Sequence, residues 1–242
     1  TEGGGGEPVE ATIQEIQETV DPDGDSPFVD QTVITTGVVT AAYDEGFWIQ
    51  DGTGTWSGVF VREDDPAAAV GDEVTVTGLV QENFGLTRIN NLTELVVETS
   101  GNALPAAEVV TTGAAGTEEF EGVLIQVLAT TCTDNNLGFG EWLINDGSGD
   151  YRVDDELYDA DPQLLVGYDV TGVAHFSFSD FKLFPRDAAD VVVNADASEL
   201  GLAFEAAAIG EGETSGTIII EVEIINPSDV ETTVEVTVTG GT

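Results

Sequence analysis

Phe47-Trp48-Ile49-Gln50-Asp51-Gly52-Thr53-Gly54 decides the fold, because the chain writes it twice. It returns as Glu141-Trp142-Leu143-Ile144-Asn145-Asp146-Gly147-Ser148-Gly149. Each copy is a short apolar run stopped by an Asp-Gly turn, the pattern of a strand entering a hairpin. The flanks recur too. Val70-Gly71-Asp72-Glu73-Val74-Thr75-Val76-Thr77-Gly78 returns as Val166-Gly167-Tyr168-Asp169-Val170-Thr171-Gly172, and Leu86-Thr87-Arg88-Ile89 as Phe181-Lys182-Leu183-Phe184. Recurrence in the same order marks an internal duplication. The step from Trp to Asp is three residues in the first copy and four in the second. A one-residue β-bulge would account for the difference, leaving Trp48 and Trp142 equivalent.

Working outward, the first copy holds five strand-like runs within about ninety residues: 31–43, 46–52, 57–63, 73–82 and 86–98. Residues 11–20 read as a short helix, with Ile13, Ile16 and Val20 at helical spacing, followed by the turn cluster Asp21-Pro22-Asp23-Gly24-Asp25-Ser26-Pro27. Five short strands suit a small closed barrel of the OB type. Both copies resemble the OB-like domains that precede bacterial extracellular nuclease domains. The first does so through TIQEIQ, Ser26-Pro27, GVVTA, FWIQD, VGDEVTVTG and FGLT; the second through EWLINDGSGDYRVDD, VGYDVTG, FSFSDFKLFPRD and AADV. No nuclease core accompanies them, so the resemblance implies fold rather than activity. The expected layout is a glycine-rich leader over 1–10, a first barrel over 11–100, a second over 101–194 and a remainder over 195–242.

That remainder alternates at period two in three runs. Ile218, Ile220, Val222 and Ile224 share one face, as do Val234, Val236 and Val238. Three strands make one sheet of a sandwich that needs two. The run resembles the start of a Calx-beta domain through Phe204, Gly210-Glu211-Gly212-Glu213, the strand 217–225, Asn226-Pro227-Ser228 and the strand 233–241. The resemblance implies an extracellular or regulatory β-sandwich, often calcium-binding and often in adhesins, with Glu205 and Glu211 near its end loops. The later strands of that family are missing. Another copy of the chain is expected to complete the sandwich, with Val9 to Ile16 as the donor candidate, in competition with its helical reading, and a filament as the product. The fold class is therefore all-β: two tandem five-stranded OB-like barrels and an incomplete C-terminal β-sandwich.

Forty-seven acidic residues face five basic ones, for a formal charge of −42. Arg62, Arg88, Arg152, Lys182 and Arg186 form no patch in sequence, so binding to nucleic acid or anionic lipid is not expected. Such a charge opposes its own compact state and calls for salt or divalent cations. With no methionine and Thr1 in first place, a processed N-terminus is expected. No apolar run approaches the roughly 18 residues of a spanning helix. The lone Cys132 excludes an intramolecular disulfide and reads as a small buried hydrophobe. Low disulfide use with this acidity fits a bacterial cell-surface or secreted protein.

Catalytic motifs are missing, and the single histidine, His175, sits in a strand pattern as a structural residue. The chain is thus expected not to be an enzyme. Calcium is the expected cofactor. Asp21, Asp23 and Asp25 place carboxylates at alternate positions of a turn, and Asp154, Asp155 and Asp159 lie in the densest acidic run. The aromatics Trp48, Trp56, Phe60, Trp142, Tyr151, Phe176, Phe178 and Phe181 read as barrel core first and as stacking surface second. The expected function is a secreted structural or adhesive protein that self-assembles by strand complementation, its partners other copies of itself, with a neutral glycan admitted as ligand. The alternative is a set of accessory glycan- or ligand-binding modules from a larger secreted enzyme such as an extracellular nuclease.

Overall fold

The strands of each copy return to their starting point and close a barrel. The computed structural model describes residues 7–197 and, beyond them, the strands Gly201–Phe204 and Val222–Ile225. The first copy runs β1 (Val9–Glu10), α1 (Ile13–Gln17), β2 (Thr32–Tyr43), β3 (Gly46–Gln50), β4 (Gly58–Arg62), β5 (Glu73–Asn83) and β6 (Leu86–Thr99). Antiparallel pairs join β2 to β3, β3 to β4, β5 to β6 and β2 to β5. A parallel pair, Phe60 with Arg88 and Val61 with Ile89, joins β4 to β6 and shuts the ring.

The second copy repeats every element. It runs β7 (Glu108–Val109), α2 (Thr112–Ala115), β8 (Leu124–Gly138), β9 (Glu141–Asn145), β10 (Asp150–Val153), β11 (Gly167–Ser177) and β12 (Asp180–Phe184). Arg152 with Lys182 and Val153 with Leu183 close it as before. A further strand, β13 (Val191–Val193), lies antiparallel on β11. Two tandem OB-like barrels are therefore what the all-β pattern builds.

Why the Asp-Gly turn recurs is visible at the helices. α1 is held by a capping box between Thr12 and Glu15, and its first N–H, from Ile13, donates to Asp51 at 3.2 Å. In the second copy the N–H of Thr112 donates to Asp146 at 3.1 Å. The turn aspartates anchor the short helices beside the barrels. Ile13 and Ile16 are buried in the first core with Phe47, Ile49, Val61 and Ile89. The helix is shorter than the expected 11–20 and leaves Val20 exposed, because the Ser26 hydroxyl takes the Ile16 carbonyl and the chain turns away. The end of the expected leader, Val9–Glu10, is a strand parallel to β2.

The two tryptophans are not equivalent. Trp48 lies opposite Phe60 and Phe47 opposite Val61, whereas Trp142 lies opposite Val153 and Leu143 opposite Arg152. Trp142 therefore matches Phe47, and both enter their barrel cores. Trp48 matches Leu143. The expected bulge exists, but both copies carry one in the preceding strand, between Val39 and Ala41 and between Cys132 and Asp134. The first copy simply places its tryptophan one residue closer to the turn, and at period two one residue changes the face. The parallel pairs correct the other repeat by one position as well, matching Arg88 with Lys182.

Turned outward, Trp48 builds the seam between the barrels. It packs with Ala41, Phe60 and Leu86 of the first barrel against Leu124, Val173 and Phe184 of the second. A polar belt crosses the seam. The Gln50 side chain accepts from Leu124 N at 2.9 Å, Glu121 accepts from Thr87 N at 3.0 Å, and Trp56 N donates to the Glu119 carbonyl at 2.7 Å. Backbone meets backbone at Gly58 and Gly122, where a Cβ on Gly58 would collide with the Gly122 carbonyl. Beyond the barrels, β14 (Gly201–Phe204) and β15 (Val222–Ile225) pair antiparallel, Gly201 with Ile225. The expected third strand over 233–241, Glu205 and Glu211 lie outside the described residues.

Gly58→Ala should cost about 1–3 kcal/mol, the usual cost of overpacking. The check is the chemical-denaturation midpoint; an unchanged midpoint would mean that the seam is loose.

Candidate functional site

Hairpin tips from both barrels meet over the seam and frame a cleft of about 680 Å³. Small-ligand sites run roughly 300–1,000 Å³. Tyr43 and Glu45 come from the β2–β3 hairpin, Asn83 and Phe84 from β5–β6, and Phe176 to Ser179 from β11–β12. Phe60, Phe184 and His175 line it from the strands. The fourth tip lies near: Gly140, in the β8–β9 turn, is tight against Asp155, the neighbour of the cleft residue Asp154. In a single OB barrel the corresponding hairpins flank the binding face.

Three of the four tips carry a phenylalanine in the left-handed backbone region: Phe84 at φ 57°, Phe139 at 56° and Phe178 at 52°. The next residue, Gly85, Gly140 or Ser179, also has positive φ, as a type I′ two-residue turn requires. Asn is the usual occupant, since a left-handed backbone costs other L-residues roughly 1–2 kcal/mol. The side chains are 95%, 98% and 93% exposed, so no packing within the barrels offsets that cost.

The cleft also gathers cations. Arg62 and Arg88 line it, although they lie far apart in sequence. Lys182 sits 5.2 Å from the Phe178 ring. Lys182 is buried and pairs with Glu141 and, at 2.9 Å, with Asp154; Arg152 pairs with the same Glu141 and with Asp180 at 3.2 Å. Arg62 pairs with Asp64 at 2.8 Å. Arg88 differs. Its Nε and Nη2 donate to the neutral Gln81 amide oxygen at 3.3 and 2.8 Å, and among the described residues it makes no ion pair. Burial, then the nearby Arg62 charge, pulls its pKa down.

His175 is buried between Trp48, at 5.3 Å edge-on, and Phe184, at 4.8 Å. Burial, aided by the Lys182 charge, pushes its pKa down to about 3, so the ring is neutral at physiological pH. Its Nδ1 has no hydrogen-bond partner. Cys132 is buried with its thiol pushed up to about 11 by burial, as a small core residue should be.

The six carboxylates singled out for calcium fall in two places. Asp21 and Asp23 line a separate hollow of about 290 Å³ with Trp56 and Glu118, and Asp21 accepts from Asp23 N at 2.9 Å. Asp25 adds its charge to Glu118. Asp154 is taken by Lys182, while Asp155 has its pKa raised by burial and by Asp154 and Asp159. Among the described residues no three His, Cys, Asp or Glu side chains form a group able to hold a metal ion.

Sequence reading missed Phe84 and Phe139, whose signal was a phenylalanine where a two-residue turn wants Asn. It also missed the seam carboxylates. Glu121 is buried, with Oε2 unpartnered, and burial, then Glu118 and Glu82, raises its pKa well above the usual range. Glu118 is raised to about 7 by burial, then by Glu82 and Asp25.

No family model matches the chain, and no curated protein does. A crystal structure of the S. pombe Stn1-ten1 complex is similar to it at 14% identity, over 41% of this chain and 84% of that one, with a TM-score of 0.29. The expectation of a self-polymer that takes no nucleic acid is corrected by the use the chain makes of its own residues. The expected donor, Val9 to Ile16, is already spent on its own barrel, as β1 beside β2 and as α1 in the core. The bases are scattered in sequence, yet Arg62 and Arg88 share one cleft. No helix among the described residues is long and apolar enough to cross a membrane.

Two outcomes follow from the charges. The folded chain keeps protons on Glu118 and Glu121 that the unfolded chain releases near pH 4.3. The stability they add is present below that pH and drains away as pH rises through about 7. Melting temperature should therefore rise as pH falls from 8 to about 5.5, and Glu121→Gln should raise it at pH 8 and flatten the slope; a flat wild-type profile would refute this. Lys182→Met leaves Asp154 without its ion-pair partner and Glu141 with Arg152 alone, and should cost about 3–5 kcal/mol in denaturant titration, the scale for breaking a buried pair.

Proposed function

We propose that the chain is a non-catalytic binding module of a secreted or cell-surface protein, with the inter-barrel cleft as its binding site. The observation that carries this reading is the set of exposed left-handed phenylalanines at the hairpin tips around an aromatic-walled cleft. Each is unfavourable twice, in backbone and in solvation, and a ligand stacked on them offsets both. Aromatic platforms of this kind suit flat-faced ligands such as sugar rings. The likeness of both copies to the OB-like domains that precede bacterial extracellular nucleases supports an accessory role. The likeness of 195–242 to the start of a Calx-beta domain supports a surface setting.

Calcium binding by the acidic loops is proposed on charge alone. It predicts a higher melting temperature in millimolar calcium than in chelator at matched ionic strength, and coincident curves would remove it.

The cleft is tested by Phe84→Asn with Phe178→Asn. Asn is at ease in the left-handed region, so the double variant should gain about 1 kcal/mol or more in stability. Calorimetric titration with a panel of soluble oligosaccharides should show binding by the parent chain that weakens at least tenfold in the variant. Affinity unchanged by the double substitution would place binding elsewhere.

A further inference from the structure

Resting on that reading of the cleft, we infer that its ligand carries a carboxylate and that Arg88, with Arg62 beside it, holds that group. The duplication supplies the argument. Arg88 and Lys182 occupy the same position of the two barrels, each paired in parallel with the third strand of its ring. In the second barrel the cation is neutralised from within, by Glu141 and Asp154. The registers give the matching positions in the first barrel. Glu141 and Asp154 flank the pair Trp142–Val153, as Gly46 and Arg62 flank Phe47–Val61. Where the second copy has two carboxylates, the first has a glycine and another cation.

The contrast is sharp in a chain of 47 acidic and five basic residues, where chance alone favours a carboxylate beside any arginine. Arg62, Arg152, Lys182 and Arg186 all have one. Arg88 has only the amide of Gln81, and it faces the cleft. A half-buried guanidinium beside a second one lacks a counter-charge, and its planar fork matches a carboxylate. The second barrel shows which anion fits this position, namely a carboxylate. A dianionic phosphate would meet Glu45, Asp154 and Glu156 on the same cleft. Phe84 and Phe178 offer ring faces on the same cleft. The ligand class is a ring-bearing carboxylate, either a uronic acid sugar or an aromatic acid.

The test is calorimetric titration of the full chain with trigalacturonate, with 2-naphthoate and with the methyl ester of each, repeated on Arg88→Gln and on the Phe84→Asn, Phe178→Asn variant. At least one acid should bind tenfold or more tightly than its ester, and Arg88→Gln should erase that margin while keeping the melting temperature within a few degrees. The acid that binds identifies the source. Equal binding of acid and ester, or a margin that survives Arg88→Gln, would overturn the carboxylate assignment. It would leave the cleft reading standing wherever the double phenylalanine variant still loses affinity. Failure of every acid and ester to bind would overturn both.

Discussion

The backbone contact of Gly58 with Gly122 is the constraint on which the rest of the molecule depends. Two small barrels of about ninety residues could each stand alone on a string. Here they touch main chain to main chain, closer than any side chain would allow. That approach lets Trp48 span the seam, brings Gln50 to the Leu124 N–H and sets Glu121 against Thr87. Because the seam fixes the barrels, hairpins from both converge on one opening. A flexible linker would leave two separate OB faces; the seam makes one cleft.

Charge is handled locally in this chain. Among the buried carboxylates, Glu141 and Asp154 are paired with Lys182, while burial raises the pKa of Glu121 well above the usual range. Asp146 takes a third route: burial works against its charge, yet hydrogen bonds from Ser148 and Thr112 outweigh it and bring its pKa to about 2. The formal charge of −42 therefore describes the sequence better than it describes any one site. Where cations collect, the local field opposes the global one, and at a Debye length near 8 Å in physiological salt the local field governs contact.

Barrel topology was legible because a closed ring needs only strand order and turn positions, and the duplication states both twice. The turn aspartates Asp51 and Asp146 were legible as turns, though the bond each accepts from the first N–H of its own copy's helix was not. The equivalence of the tryptophans misled, because letter identity hides a one-residue shift that only strand pairing reveals. What was illegible is the cleft. Arg62 and Arg88 come together through the parallel closure of β4 on β6, a contact that no local pattern announces. The donor-strand reading of Val9 to Ile16 failed because its apolar residues find their burial beside their own barrel.

The most direct test of the cleft as the working part of the molecule is amide chemical-shift mapping of the isotope-labelled full chain against trigalacturonate or 2-naphthoate, whichever binds. The expected result is a set of shifts confined to residues 43–46, 83–88 and 175–179, from both barrels at once. Shifts confined to one barrel, or centred on the hollow at Asp21, Asp23 and Trp56, would contradict the account.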